Sequence, residues 1–498
     1  MDVPPAPAAR RLDLVEEVHG RLVDDPYRWL EADDDESKEV AEWVHRQQAY
    51  AEAYLAKLPE RDAFRARLTK LWDYERYSAP EKAGKRYLFL KNDGLQDQAV
   101  LYVADSIKDD GRVLIDPNQW SNDGTVSLSG YAASHDGRYL AYKQSAAGSD
   151  WQTIRVLDLE TGERLADELK WVRFSGIEWV KSGEGFFYNR YPEPKAGQKH
   201  QSVALGPKVC FHKLGEQQSD DQVILERPDH PEWSLHVEQT HDGAYLFATM
   251  QRGTDWQNQL LYRKSADPDA EFIPLADTFD NVFHLIGSQG KRVFLVTDYQ
   301  APRRRVVAMD LDNPALDRLE EIIPQSDAAL QNVSLIGGRL IATYLKDVAA
   351  EVSVYDLAGQ PQGAAPLPGL GSANGFYGEP DDEETFFVYQ SYNAAPSIYR
   401  YDVPTGQTTL LREPKIDFQS QDYEVQRHFY LSKDGSRIPL FLVYKKGLKH
   451  DSQNPTLLYG YGGFSISITP AFSISRLAWL ERGGVLAVAN LRGGGEYG

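Results

Sequence analysis

Over most of this chain the apolar positions ignore helical spacing and come in short runs, two to a repeat. From about residue 73 to residue 422, each repeat reads as a polar turn, an apolar strand, a polar loop and a second strand. First strands are expected at Tyr87, Tyr139, Phe186, Tyr245, Val293, Leu340 and Phe386. Their partners begin at Ala99, Thr153, Val209, Gln259, Val306, Val352 and Ile398. Several partners run into aspartate turns, at Asp158, Asp310, Asp356 and Asp402. The turns His135-Asp136-Gly137 and His241-Asp242-Gly243 supply the positive φ of a tight reversal. Seven hairpins at intervals of roughly 44–60 residues match the length of a four-stranded blade. A lone blade cannot bury both faces, so the units must stack in a ring. A seven-bladed β-propeller is therefore expected, in preference to a β-sandwich array or a non-closing repeat.

The flanks have a different texture. Val40, Trp43, Val44, Gln47, Tyr50, Tyr54 and Leu58 share one helical stripe over residues 36–58, and Pro59 ends it. Asp34 and Asp35, in the acidic stretch 33–36, stand where a cap belongs and where the helix dipole favours negative charge. A second helix is expected over 60–72, and the Pro/Ala-rich start up to Arg11 reads as a disordered lead-in. After Arg412, strands are expected at 425–431, 439–444, 456–459 and 484–489, with a helix at 474–482. That order is how an α/β-hydrolase sheet begins. Three divisions follow: a helical segment at 1–72, the propeller at 73–422, and the first strands of an incomplete α/β-hydrolase domain at 423–498.

In α/β-hydrolases the loop after the third strand helps to build the oxyanion hole, and the nucleophilic serine follows later on a G-x-S-x-G elbow. Here that loop is Tyr459-Gly-Tyr461-Gly-Gly-Phe464. A tyrosine hydroxyl there could donate to the developing alkoxide, a contribution of about 3–4 kcal/mol. No serine of the chain has glycine two residues before and two after it, and Ser465 fails because Ser467 occupies the second position. The topology places the nucleophile one helix and one strand beyond Gly498, with Asp and His after it. The Ser-Asp-His triad is thus expected to be absent from these residues.

The run from Leu458 to Pro470, followed by Val488-Ala-Asn-Leu-Arg-Gly-Gly-Gly-Glu-Tyr-Gly498, resembles the prolyl oligopeptidase family of serine peptidases. So do His19-Gly20, Asp25-Pro-Tyr-Arg-Trp-Leu-Glu31, Ser432-Lys-Asp-Gly-Ser-Arg-Ile-Pro439, Ser145-Ala-Ala-Gly-Ser-Asp-Trp151 and Phe187-Tyr-Asn-Arg-Tyr-Pro192. The resemblance implies cleavage of short peptides on the carboxyl side of proline, by a monomer. It also implies that the propeller is inserted into the hydrolase domain, to which residues 1–72 then belong, and that it keeps folded proteins out. By position, Tyr461 matches the oxyanion-hole tyrosine, Phe464 a wall of the proline pocket and Phe174 a propeller residue facing the substrate. Thr254 stands where animal members carry a reactive cysteine. Ser234, after Trp233, replaces a larger apolar contact of the outer subsites.

Composition narrows the alternatives. The 54 basic against 74 acidic side chains give a net charge of −20, which disfavours nucleic acid or an anionic membrane as partner. No apolar run approaches the ~18–20 residues that span a bilayer. Cys210 is the one cysteine, so no intrachain disulfide forms, and the cytoplasm is expected, although a periplasmic protein can also lack disulfides. The 11 histidines show no HExxH or similar spacing, so neither metal nor other cofactor is expected. Arg492-Gly-Gly-Gly lacks the Lys-Ser/Thr of a phosphate loop, and Arg303-Arg-Arg305 reads as a surface loop. Two rivals remain. A peptidase of the oligopeptidase B type would cleave after basic residues, but the apolar Phe464 suits proline better. A non-catalytic propeller binding module would have no use for the hydrolase-like strands after residue 456.

Overall fold

The structure is a computed structural model that describes residues 5–32, 37–146, 148–194 and 203–498; the acidic stretch 33–36 lies outside them. Residues 1–71 and 72–498 fall into two compact units. In the first, helices run over Lys38–Leu55 and Arg61–Trp72, the second reaching one residue past the unit boundary. The first helix starts later than its stripe suggested because Ser37 provides the cap, its hydroxyl accepting from the Val40 amide at 3.4 Å. Of the expected stripe only Val40 is buried. Part of the expected lead-in is tied down: Arg10 pairs with Glu39 at 2.7 Å and the Pro7 carbonyl accepts from Gln47 at 2.7 Å. A hairpin of Val15–Val18 with Arg21–Asp24 also stands in this segment, which had read as mainly helical.

In the second unit, all seven expected hairpins form as antiparallel pairs. Examples are Tyr245–Arg252 against Asn258–Lys264 and Arg292–Thr297 against Arg305–Asp310. Each hairpin is the middle of a larger sheet, joined by a strand before it and a strand after it. Residues 76–115 make a five-stranded sheet, and 233–276, 283–323, 329–364 and 372–412 each make a four-stranded one. Residues 126–226 form two such groups linked through the pair Val172↔Arg190.

Successive sheets pack face to face through apolar clusters. Phe247 and Leu260 of one sheet meet Leu295 and Val307 of the next, and Phe294 and Val306 meet Leu340 and Ala342 of the one after. Because both faces are covered, the middle strands carry near-continuous apolar runs such as Val293-Phe-Leu-Val296. The series closes on itself. Lys82 of the first sheet pairs with Asp382 of the last at 2.6 Å, and Tyr87 stacks edge-on against Phe386 with centroids 6.0 Å apart.

Residues 423–489 form a different sheet. Tyr423–Leu431 pairs antiparallel with Arg437–Lys445, which pairs with Val485–Ala489; that strand runs parallel to Thr456–Gly460. The helix Ile474–Glu481 connects the parallel strands and buries Ile474, Leu477, Ala478 and Leu480. Among the described residues no helix is long and apolar enough to cross a membrane.

Candidate active site

Tyr461 and Phe464 lie in the loop that leaves the strand Thr456–Gly460, and residues 490–496 leave the adjacent parallel strand at the same end. The carboxyl ends of parallel strands are where open α/β sheets place their ligands. Glycine lets the two loops touch backbone to backbone. Gly462 has φ +66°, and a Cβ there would meet the Arg492 carbonyl at 2.8 Å; one on Gly493 would meet the Gly462 carbonyl at 2.4 Å. The Ser465 amide donates to the Gly493 carbonyl at 2.9 Å.

Below this junction a buried polar clip, not anticipated from the sequence, fixes the loop. Glu496 Oε1 accepts from the Ile468 amide at 2.9 Å and from Asn490 Nδ2 at 3.0 Å, while Asn490 also donates to the Ile468 carbonyl at 2.8 Å. Both side chains are almost inaccessible. Nothing in the local pattern marks Glu496, since an acidic residue after three glycines reads as solvated surface. Arg492 is engaged with Asp434 at 2.6 Å and Ser436 Oγ at 2.9 Å.

The clipped loop leaves its aromatic side chains free. Tyr461 is 47% exposed and Phe464 71%, and Phe464 is held at φ +53°. Phe174, 63% exposed, also sits in the left-handed region, at φ +47°. A third left-handed phenylalanine, Phe376, is buried in the apolar core between sheets. Phe464 and Phe174 thus hold a left-handed backbone while presenting their rings to solvent rather than to a core.

The loops of the repeating sheets meet this region at one end of their strands. Trp256 Nε1 donates to the Phe464 carbonyl at 3.2 Å, so the loop holding the exposed Thr254 abuts Phe464. Ser234, on the preceding strand Trp233–Gln239, pairs with Gln251 just before that loop and is exposed. Phe174, in the connection before Glu178–Trp179, lies at the corresponding strand end, with the Arg173 guanidinium 4.9 Å from its ring. Arg173 in turn pairs with Asp150 at 2.9 Å. Further contacts hold this end to the last residues: Tyr497 donates to Asp347 at 3.0 Å, and Arg303 Nε donates to the Tyr497 carbonyl at 3.3 Å. Burial, and then the Asp347 carboxylate, push the Tyr497 hydroxyl up to about 12. Arg303 is therefore more than a surface arginine.

A sequence profile for the N-terminal β-propeller domain of prolyl oligopeptidase matches residues 7–414. The chain belongs to the prolyl oligopeptidase family. It is 39% identical to the prolyl endopeptidase of Elizabethkingia meningoseptica over 99% of this chain and 69% of that one. Its structure is similar to one from a structural and mechanistic study of two prolyl endopeptidases, with a TM-score of 0.93, 35% identity, and coverage of 99% of this chain and 72% of that one. It is also similar to prolyl oligopeptidase B of Galerina marginata bound to a 35mer hydrolysis and macrocyclization substrate. There the TM-score is 0.91 at 29% identity, over 99% of this chain and 72% of that one. The repeating sheets are accordingly those of the family's β-propeller, and the family is one of serine peptidases.

The propeller strands that precede the hairpins also carry ionisable groups. Burial pushes the Glu178 carboxyl up to about 7, against the pull of His135 and Lys143. Burial together with the Glu178 charge takes Glu238 to about 8. Among the described residues, the side chains that could hold a metal converge elsewhere, at His135, His241 and Glu379. These lie in the turns that lead into the hairpins, at the opposite strand end from Trp256.

Proposed function

We propose that these residues belong to a serine endopeptidase that cleaves short peptides on the carboxyl side of proline. In this reading the repeating sheets are seven blades, with the eight-stranded sheet counted as two. The propeller at 73–422 interrupts an α/β-hydrolase domain made of 1–72, 423–498 and residues that bear the triad. The observation that carries the proposal is the pair Tyr461 and Phe464. Both are exposed on a glycine-backed loop at the carboxyl ends of parallel strands, and the loop is met from the propeller side by Trp256.

The chemistry follows from those positions. Attack of a serine on the carbonyl of the proline residue puts negative charge on its oxygen, and the Tyr461 hydroxyl donates to that oxyanion. Phe464 offers an apolar face to the proline ring, which has no hydrogen-bond donor to satisfy. Phe174 contacts the peptide from the propeller, and Ser234 and Thr254 border its outer positions. Thr254 offers no thiol, so thiol reagents have no target there. No serine among the 498 residues sits in an elbow pattern, so these residues alone are expected to be inactive.

Two assays test this. The purified 498-residue chain should not hydrolyse a blocked Gly-Pro chromogenic peptide; release abolished by a serine-directed phosphonate would overturn that expectation. In an enzyme joining these residues to a Ser-Asp-His triad, replacing the scissile proline by arginine should reduce kcat/KM sharply. Equal or better cleavage after arginine would assign the site to basic peptides instead.

A further inference from the structure

At the propeller end remote from Trp256, three blade turns bring two imidazoles and a carboxylate together. His135 follows the strand Val126–Ala133, His241 follows Trp233–Gln239, and Glu379 follows Ser372–Tyr377. His135 Nδ1 lies 3.1 Å from Glu379 Oε1, and His241 Nδ1 lies 2.5 Å from Glu379 Oε2. One ligand atom from each lies within 4.8 Å of the other two. The partners are 244 and 138 residues apart in the chain, so no local histidine spacing could announce them.

The outer nitrogens decide what the inner ones can do. His135 Nε2 is 3.2 Å from the Trp179 carbonyl. A carbonyl only accepts, so Nε2 carries a hydrogen and the neutral ring turns the Nδ1 lone pair toward Glu379. A lone pair facing a carboxylate oxygen at 3.1 Å needs a positive centre between them, either a proton or a metal ion. The outer nitrogen of His241 is less constrained: its Nε2 lies 3.7 Å from Asp381 Oδ1, beyond hydrogen-bond reach. An imidazole whose far N–H is held by a carbonyl or carboxylate is how proteins orient histidine toward a metal.

The surroundings favour a cation. Asp381 and Asp382 adjoin Glu379, and the Glu379 amide donates to Asp382 at 2.8 Å, which fixes the turn. A cavity of about 440 Å³ bounded by these residues leaves room for an ion and its waters. Two charges oppose it: Lys181 Nζ stands 3.3 Å from His241 Nε2, and Lys82, which borders the same cavity, pairs with Asp382 at 2.6 Å. Lys181 is exposed and free to swing away.

The geometry points to a divalent transition-metal site, of the zinc class, formed by His135 Nδ1, His241 Nδ1 and the Glu379 carboxylate. Two imidazole nitrogens, one carboxylate oxygen and an open fourth position suit Zn²⁺, whereas Mg²⁺ and Ca²⁺ require oxygen-rich shells. On binding, the ion takes the place of the protons now shared with Glu379. It ties three blades together across the ring, far from the candidate oxyanion loop.

Calorimetric titration of Zn²⁺ into the chelator-treated 498-residue chain should show one saturable site per chain, and millimolar Mg²⁺ should give none. The thermal midpoint should rise by roughly 5 °C at saturating zinc. His135→Ala should weaken zinc binding at least tenfold and shrink the zinc-induced rise in midpoint measured against the same variant in chelator. Lys181→Ala should tighten zinc binding severalfold, a gain that misfolding cannot imitate. No saturable zinc binding, or a zinc affinity indifferent to both substitutions, would overturn the site.

Discussion

The propeller and the C-terminal sheet solve the same burial problem in different ways. A middle propeller strand such as Arg292–Thr297 is buried almost throughout because neighbouring blades cover both faces. In the C-terminal sheet, Val485–Ala489 is wholly buried, while its parallel partner Thr456–Gly460 is exposed along its whole length. Leu458 on that outer strand is 68% exposed. The propeller thus satisfies each blade by repetition, and its ends are free to carry loops. In the C-terminal sheet the strand Thr456–Gly460 is paired on one side only among the described residues, and the loop that follows it is held by one glycine contact and one polar clip.

Substitutions in the two regions should separate these designs. Phe294→Ala, in the interface between two blades, should cost about 3–5 kcal/mol in denaturant unfolding; a loss below 1 kcal/mol would mean the blades are not tightly packed there. Tyr461→Phe should leave stability unchanged. In an enzyme that joins these residues to a triad it should lower kcat by about 10²–10³-fold with little change in KM. An unchanged kcat would remove the hydroxyl from the chemistry.

Asn490→Ala strips the clip of one donor and should destabilise the C-terminal sheet by about 1–3 kcal/mol. Its blade contacts should stay intact, as hydrogen exchange would show.

Within the propeller, the buried His212 bridges Asp221 at 2.7 Å and Asp167 at 3.0 Å. Burial alone would push the imidazole down, but the two carboxylates reverse this and take it to about 9. A folded value above the ordinary 6.5 means that this stabilisation is complete below pH 6.5 and is lost as pH rises through 9. Asp167 is held below its ordinary value, with burial opposing and His212 and the Gly215 amide prevailing. Its share is therefore present above pH 3.8 and lost on acidification. Denaturation midpoints should fall between pH 6.5 and 9, and His212→Asn should flatten that slope. A slope unchanged in the variant would refute the assignment. The smallest effect is expected on the strand Thr456–Gly460, where Leu458→Lys should change stability by no more than about 0.5 kcal/mol and reduce self-association in light scattering.

What could be read in advance follows the same division. Strands buried on both faces carry dense apolar runs, so the middle two of every blade stood out. The strands that precede the hairpins, such as Val126–Ala133, are only half-buried and broken by serine and glycine, and those that follow them, such as Pro361–Ala364, are fully exposed. Neither has an apolar signature, and both went unseen. The C-terminal strands and the helix Ile474–Glu481 were legible to within two residues at each end, because each carries a compact apolar block between turn residues. Tyr461 could be picked out because glycine marks a backbone that must approach another closely, whereas Phe464 is marked only by the resemblance to the prolyl oligopeptidase family. Trp256 against Phe464, Glu496 beneath its loop, and His135 with His241 and Glu379 could not, because those partners are far apart in the chain.

Residue order alone was enough to settle the repeat, the hairpins within it and the change of architecture after Arg412, since all three rest on interactions between near neighbours along the backbone. Ring closure through Lys82 and Asp382, the exposure of two left-handed phenylalanines and the convergence of three turns on Glu379 belong to the tertiary structure. Each depends on where distant segments come to rest once the blades have packed, and local hydropathy carries no record of that.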